Sequence, residues 1–177
     1  MKKVLFFATL LLCMGLTSCE KEDIGGTATE SMAGEWYVTV DAADANGNVV
    51  EGLEDPFGLG KIHVLTYNAS DNNPNVLIVD DLENFWGFKA KTNCDQNTLT
   101  FSTSTSENNN LVAGYEDINV TITGGKIIKN GGVQNNGSKA DYIEFYVSFS
   151  DDAYPAAYGY ANYKVSGVRY SGLTEND

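Results

Sequence analysis

From Trp36 onward, apolar and polar residues alternate with a period of two, and short clusters of Asn, Gly and Asp interrupt the alternation. That is the pattern of short antiparallel strands with one face buried. EWYVTVD sets Trp36, Val38 and Val40 on one face. IHVLTY fits two registers, with either Ile62 and Val64 or His63, Leu65 and Tyr67 facing inward. NVLIVDD is apolar through its centre and reads as a short strand buried on both faces. FWGFKAKT alternates Trp86, Phe88 and Ala90 against Lys89 and Lys91. LTFSTST, INVTIT, GKIIKN and YIEFYVSFS continue the series, and YGYANYKVSGVRYSG supplies a last strand or pair. Turn signals fall between them at NGN, DNNPN, CDQN, ENNN, TGGK and NGGVQNNGSK, all rich in residues that tolerate positive φ or form side-chain turns. About nine strands joined by short connections, with no helical stripe past the N-terminus, predict an all-β fold, either an antiparallel up-and-down barrel or a sandwich. The barrel is preferred because closure removes the edges that so many aromatic strands would otherwise leave open to pairing.

The N-terminus follows a different pattern. Lys2 and Lys3 precede the apolar run VLFFATLLLCMGL, and Leu16, Thr17, Ser18 and Cys19 close it. A basic n-region, a short h-region and small residues before a cysteine read as a bacterial lipoprotein signal, with a plain secretory signal as the alternative. The run is too short to span a bilayer, which takes about 20 apolar residues. Residues 1–18 are therefore expected to be removed and Cys19 to carry the lipid. Residues 19–31 form an acidic flexible linker, and 32–177 form one barrel domain. The expected location is the outer membrane, lipid-anchored and facing the cell surface, with the periplasmic face as the alternative. Glu20, Lys21, Glu22 and Asp23 resemble the export signal that sends lipoproteins of the Bacteroidetes group to the cell surface; a solvated linker explains the same residues.

Charge narrows the partners. Of 11 basic residues two lie in the leader, and none of the 24 acidic residues does, which leaves 9 against 24 and a formal charge of −15 after cleavage. Nucleic acid, which needs clustered Lys and Arg, is excluded as a partner. Direct adsorption to an anionic membrane is disfavoured too. With Cys13 in the leader and Cys19 alkylated, Cys94 has no partner for a disulfide.

Two resemblances add to this reading. Gly34, Glu35 and Trp36 match the G-x-W that opens the lipocalin and calycin superfamily. In that fold the Trp plugs the closed end of the barrel, and an Arg from the last strand lies across its ring. Arg169, the only Arg in the chain, lies in the last predicted strand. Ala140, Asp141 and Tyr142 resemble a degraded form of the lipocalin TDY motif. More extensively, from Met32 to about Gly172, the blocks AGEWYVTVD, LTYN, LIVDDLENFWGFKAK, VTITGGKIIK and YVSFSDDAYPAAYGYANYKVSGVRYSG resemble a Bacteroidetes lipoprotein family named lipid-binding putative hydrolases, which is grouped with the calycins. The resemblance implies a calycin-like barrel that binds a lipid or another small hydrophobic ligand. It implies Trp36 and Arg169 as the barrel closure, and it carries over no catalytic residue.

The residues themselves display little chemistry. A Ser-His-Asp hydrolase needs a His, and His63 is the only one, set in a strand with no G-x-S-x-G in the chain. His and Cys are too few for a transition-metal site. The loop DAADANGN fails as a calcium loop because Ala42 and Leu53 fall at its two end ligand positions, and a hairpin turn explains Asn46 and Gly47. The adjacent acids Asp80 and Asp81, and Asp151 and Asp152, read as solvated. No catalytic residue, metal or cofactor is assigned. The aromatic residues are more suggestive: 10 Tyr, 8 Phe and 2 Trp. Trp86, Phe88, Tyr158, Tyr160 and Tyr163 are the candidate ligand-binding residues, because Gly159 and Ala161 leave room beside the tyrosines. A lipid or ester hydrolase, and a carbohydrate-binding or scaffolding component of a surface uptake complex, are the alternative functions.

The leader yields the first prediction. Cys19→Ala should release a soluble, folded protein and abolish incorporation of a radioactive fatty acid. Label retained by the variant would show that the leader has been misread.

Overall fold

In the computed structural model, which describes residues 26–104 and 109–176, the period-two segments form eight antiparallel strands among the described residues. They are β1 (Gly34–Ala43), β2 (Ile62–Asn68), β3 (Val76–Asp80), β4 (Lys89–Asp95), β5 (Thr100–Ser102), β6 (Val120–Val133), β7 (Lys139–Phe149) and β8 (Asn162–Arg169). Each pairs with its sequence neighbour, and β8 pairs with β1 to close an up-and-down barrel. Cys19 and the leader lie outside the described residues. Residues 26–31 already pack on the barrel: the Ala28 N–H donates to Asn72 Oδ1, and Thr29 is fully buried.

The inward positions follow the alternation. Trp36, Val38 and Val40 are buried in β1, and Ile62, Val64 and Thr66 in β2, which settles the second strand's register. His63, Leu65 and Tyr67 therefore face outward. All five residues of β3 are buried. Ile143, Phe145, Val147 and Phe149 of β7 complete one core cluster with Phe101, Ile122, Tyr163 and Val165.

Three departures from the sequence reading have identifiable causes. The TGGK segment is not a turn between two strands but a bulge inside β6. Thr123 pairs with Tyr146 while Lys126 pairs with Glu144, so one extra residue is accommodated. Before the bulge Val120 and Ile122 face inward, and after it Gly125 and Ile127 do. A Cβ on Gly125 would lie 2.5 Å from the Phe101 carbonyl oxygen, and Gly124 sits at φ 60, so both positions need glycine. Asn109 and Asn110 of the supposed ENNN turn act as sheet. The three-residue β5 leaves the start of β4 unpaired, and there the Lys91 N–H donates to the Asn109 carbonyl and the Leu111 N–H to the Lys89 carbonyl. The Asn109 side chain accepts from the Val120 N–H, which ties this segment to β6. Finally, the last strand or pair was expected from Tyr158, but Tyr154–Tyr158 form a single helical turn, α1, and β8 starts only at Asn162.

At the end where β1 starts and β8 stops, Trp36 stands opposite Arg169 in the ladder, and the guanidinium carbon lies 4.6 Å from the centre of the Trp36 ring. The Trp36 indole N–H donates to Thr66 Oγ1, which donates to the Met32 carbonyl. Arg169 donates to the Ala33 carbonyl through Nη1 and, through Nε, to Asp141 Oδ2. Gly34 leaves the space that this requires, since a Cβ there would lie 2.1 Å from Arg169 Nη1. Burial pushes the Asp141 carboxyl up, but the Asn130 N–H, the Lys129 ammonium and Arg169 outweigh it and hold the group below its ordinary range.

A cation held over a desolvated indole contributes up to about 2 kcal/mol. Arg169→Ala should therefore lower the melting temperature by roughly 4–8 °C, and Arg169→Lys should recover part of that loss, because an ammonium cannot stack a plane on the ring. Since the folded-state pKa of Asp141 is lowered, its contribution is full above the ordinary value of 3.8 and is lost as pH falls below it. Asp141→Asn should then be less stable than the parent at neutral pH and converge on it in acid, as thermal melts across pH would show.

Candidate functional site

At the other end, the mouth, three loops carry aromatic rings over the core, and in each a carboxylate sets the backbone. The first leaves β3 through Asp81. Its Oδ1 accepts the N–H groups of Glu83 and Phe88 at 3.0 and 2.9 Å, and its Oδ2 those of Phe85, Trp86 and Gly87 at 3.3, 2.8 and 2.9 Å. Five donors around one buried carboxylate need a tight curl, and Leu82 and Glu83 adopt left-handed φ of 53 and 61 to make it. This is why FWGFKAKT does not begin a strand at Phe85. The carboxylate takes the N–H groups that a ladder would have used, and β4 starts at Lys89.

The second loop, between β1 and β2, turns at Asp55-Pro56-Phe57-Gly58, with the Gly58 N–H on the Asp55 carbonyl. Asp55 also holds the N–H groups of Leu59 and Gly60, while its own N–H donates to Asp41. The turn points Phe57 at the mouth. The third loop is α1, with Pro155 in its first turn and a left-handed Gly159 ending it. Asp152 Oδ1 accepts the Tyr154 N–H at 2.9 Å. One helical turn brings Tyr154 and Tyr158 together, rings 6.0 Å apart and 22° from parallel.

The rings meet in a stopper over the core. Trp86 stacks on Phe149 at 4.9 Å and 5°, and its indole N–H donates to Asp151 Oδ1. Phe85 meets Tyr163 edge-on at 5.0 Å. Phe57 contacts Phe85, Trp86, Tyr154 and Tyr163 together. Such pairs add about 0.5–1.5 kcal/mol each beyond burial. Beneath them Phe88 is buried against Phe149.

Beside the stopper lies a cleft of about 310 Å³ lined by Leu53, Pro56, Phe57, Tyr154, Tyr158 and Tyr160. Tyr154 and Tyr158 are 46% and 62% exposed, so these rings stand free to be covered by a ligand. Tyr160 is largely buried, and its hydroxyl lies 2.7 Å from that of Tyr163, which donates to Asp152 Oδ2 at 2.7 Å. Burial, together with the hydrogen bonds to Tyr160 and Asp152, pushes the Tyr163 phenol well above its usual range, and burial pushes Tyr160 up as well.

Of the aromatic residues singled out in the sequence, Tyr158 and Tyr160 thus line the cleft, while Trp86, Phe88 and Tyr163 pack in or under the stopper behind it. Sequence reasoning missed Phe57, Leu53, Pro56 and Tyr154. The Asp-Pro-x-Gly turn was a usable signal for Phe57, because it presents the residue between Pro and Gly at its tip. A larger depression of about 480 Å³ lies on the outer wall beside Asn93, Asp95, Thr100, Ser102 and Lys126. Its rim is polar and it gathers no exposed rings, so the cleft is the stronger candidate for an apolar ligand.

The acidic and His candidates are engaged elsewhere. Asp80 accepts from the Tyr67 hydroxyl and the Leu82 N–H and pairs with Lys89. Asp44 accepts the N–H groups of Asn46 and Asn48. Among the described residues no group of three or more His, Cys, Asp and Glu side chains could hold a metal. His63 sits on the outer wall with Nδ1 2.8 Å from Glu35 Oε1, between the rings of Tyr37 and Tyr170. Those partners orient an imidazole but supply no nucleophile. Cys94 is buried with its sulfur 3.6 Å from the Pro74 carbonyl oxygen.

The profile of a family described as lipid-binding putative hydrolase matches the chain over residues 21–174. No curated protein matches it.

Because Asp81 accepts five backbone N–H groups of the loop that carries Phe85 and Trp86, Asp81→Ala should cost about 3 kcal/mol of unfolding free energy. It should also shift the Trp86 emission to the red as the ring leaves Phe149. Asp81→Asn keeps one acceptor oxygen and should cost about half as much. Chemical denaturation followed by tryptophan fluorescence measures both.

Proposed function

Since the chain belongs to the lipid-binding putative hydrolase family, we propose that it is a lipid-anchored protein of the outer membrane whose mouth cleft holds the apolar chain of a lipid without covalent chemistry. The family and the closed barrel support a lipid-binding role. The observation that carries the finer reading is the cleft: two exposed, nearly parallel tyrosine rings beside Phe57, Leu53 and Pro56, all on loops braced by carboxylates. The barrel core itself is filled by side chains, so the ligand lies across the rim and not along the axis. The described chain enters the barrel at the closed end, where Arg169 donates to the Ala33 carbonyl, so the expected anchor at Cys19 precedes the end opposite the mouth.

Energetics fit a modest binder. Burying on the order of eight methylenes contributes about 6 kcal/mol, against an association cost of at least about 4 kcal/mol. Micromolar affinity corresponds to about 8 kcal/mol net, so the polar end of the ligand must contribute as well.

Titration of the mature protein with a fluorescent acyl-chain probe tests the site. Tyr158→Ser, at an exposed position, should leave the melting temperature unchanged and weaken binding about tenfold, and Phe57→Ala should weaken it at least as much. Unchanged probe affinity in both folded variants would place the ligand elsewhere. Binding of a neutral oligosaccharide in place of the probe would favour a carbohydrate-binding role.

A further inference from the structure

The hydroxyl groups at the back of the cleft form a chain whose direction is set by one carboxylate. Asp152 has only acceptor oxygens. Its Oδ1 takes the Tyr154 N–H and its Oδ2 takes the single hydroxyl proton of Tyr163. With that proton committed, the 2.7 Å contact between Tyr163 and Tyr160 has one consistent polarity: Tyr160 donates and Tyr163 accepts. Tyr160 then has no proton left, and what its oxygen offers to the cleft is a lone pair. Tyr160 lines the cleft together with Tyr154 and Tyr158. None of the residues lining the cleft is basic, and Asp151 and Asp152 stand behind it.

Resting on the reading of this cleft as a lipid site, we propose that Tyr160 selects the polar end of the ligand as a hydrogen-bond donor: the cleft takes neutral lipids ending in a hydroxyl, and rejects fatty-acid carboxylates. A carboxylate brings only lone pairs. It would face the lone pair of Tyr160 with no cation to compensate it. For Tyr160 to donate to it, Tyr163 would have to turn its proton from Asp152 to Tyr160, leaving Asp152 Oδ2 without that donor beside a second anion. A hydroxyl completes the chain as it stands, running from ligand to Tyr160 to Tyr163 to Asp152.

The test is calorimetric titration of the mature protein with decanol, decyl methyl ether and decanoate, at a pH where decanoate is ionised. Decanol should bind about tenfold more tightly than either of the others. Asp152→Asn should reverse the chain. The Tyr154 N–H keeps the amide oxygen on its side, so the amide N–H₂ faces Tyr163, whose proton is then free for Tyr160 and that of Tyr160 for the cleft. Decanoate and the ether should gain on decanol by about tenfold in that variant. Tyr160→Phe should bring decanol down to the affinity of the ether. Equal affinities of decanol and decanoate for the parent protein would overturn the selectivity while leaving the lipid site in place. Failure of all three to bind would overturn both. Thermal melts of each variant confirm that the comparison is between folded proteins.

Discussion

Closing eight short strands into a ring makes a lumen about as wide as the side chains that point into it, and most of this molecule follows from that constraint. An inward residue must fit those across the barrel and be apolar or, like Thr66 and Thr92, have its hydroxyl hydrogen-bonded, which is why Trp36, Phe88, Phe101, Phe145, Phe149 and Tyr163 share one buried cluster with branched aliphatic residues. One end is sealed by Trp36 under Arg169 and the other by the stopper of Phe57, Phe85, Trp86 and Phe149. With the lumen filled, the space left for a ligand is on the rim, where loops outside the ladder place rings that no neighbouring strand covers. The same closure explains the bulge in β6. A ring of strands must bend as it closes, and Gly124 at a left-handed φ with Gly125 against the Phe101 carbonyl lets one strand do so without ending.

The acidic character of the chain has a local meaning at the mouth. Loop N–H groups have no ladder partner, and buried ones must find an acceptor. Asp81 serves five of them, Asp55 two, and Asp152 one together with a phenol. These carboxylates resemble, in sequence, the adjacent acids of a cation site. In space each is already surrounded by donors, and its role is to hold aromatic loops in one shape. A preformed loop loses less conformational entropy when a ligand arrives than a mobile one would, so the carboxylates support recognition without touching the ligand.

The Tyr160–Tyr163–Asp152 chain shows how a fixed charge at one end of a hydrogen-bonded series dictates what the other end presents. Nothing in the identity of Tyr160 makes it an acceptor; a phenol does either. Its role is decided two bonds away, by a carboxylate whose other oxygen accepts the first backbone N–H of α1.

The sequence alone determines an all-β fold of short antiparallel strands, the inward face of β1 and the burial of β3 on both faces, and it favours a barrel over a sandwich, because alternation with a period of two is a property of neighbouring residues and survives without knowledge of any partner. It also singles out Trp36 and Arg169, one by the residues around it and the other by being the only Arg. It cannot distinguish a glycine turn from a glycine bulge at TGGK, since both need the same freedom of φ and only pairing with Tyr146 and Glu144 separates them. Nor can it show that Asp81 will take the N–H groups of FWGF away from a strand, because that competition depends on burial. Tyr158 and Tyr160 were legible as candidates from the small residues beside them. Phe57 was legible as the tip of its turn but, like Tyr154, not as their neighbour, for the cleft is made where loops about 100 residues apart in the chain meet over a closed sheet. Such a meeting is set by the order in which strands pair around the ring, and only the tertiary structure decides it.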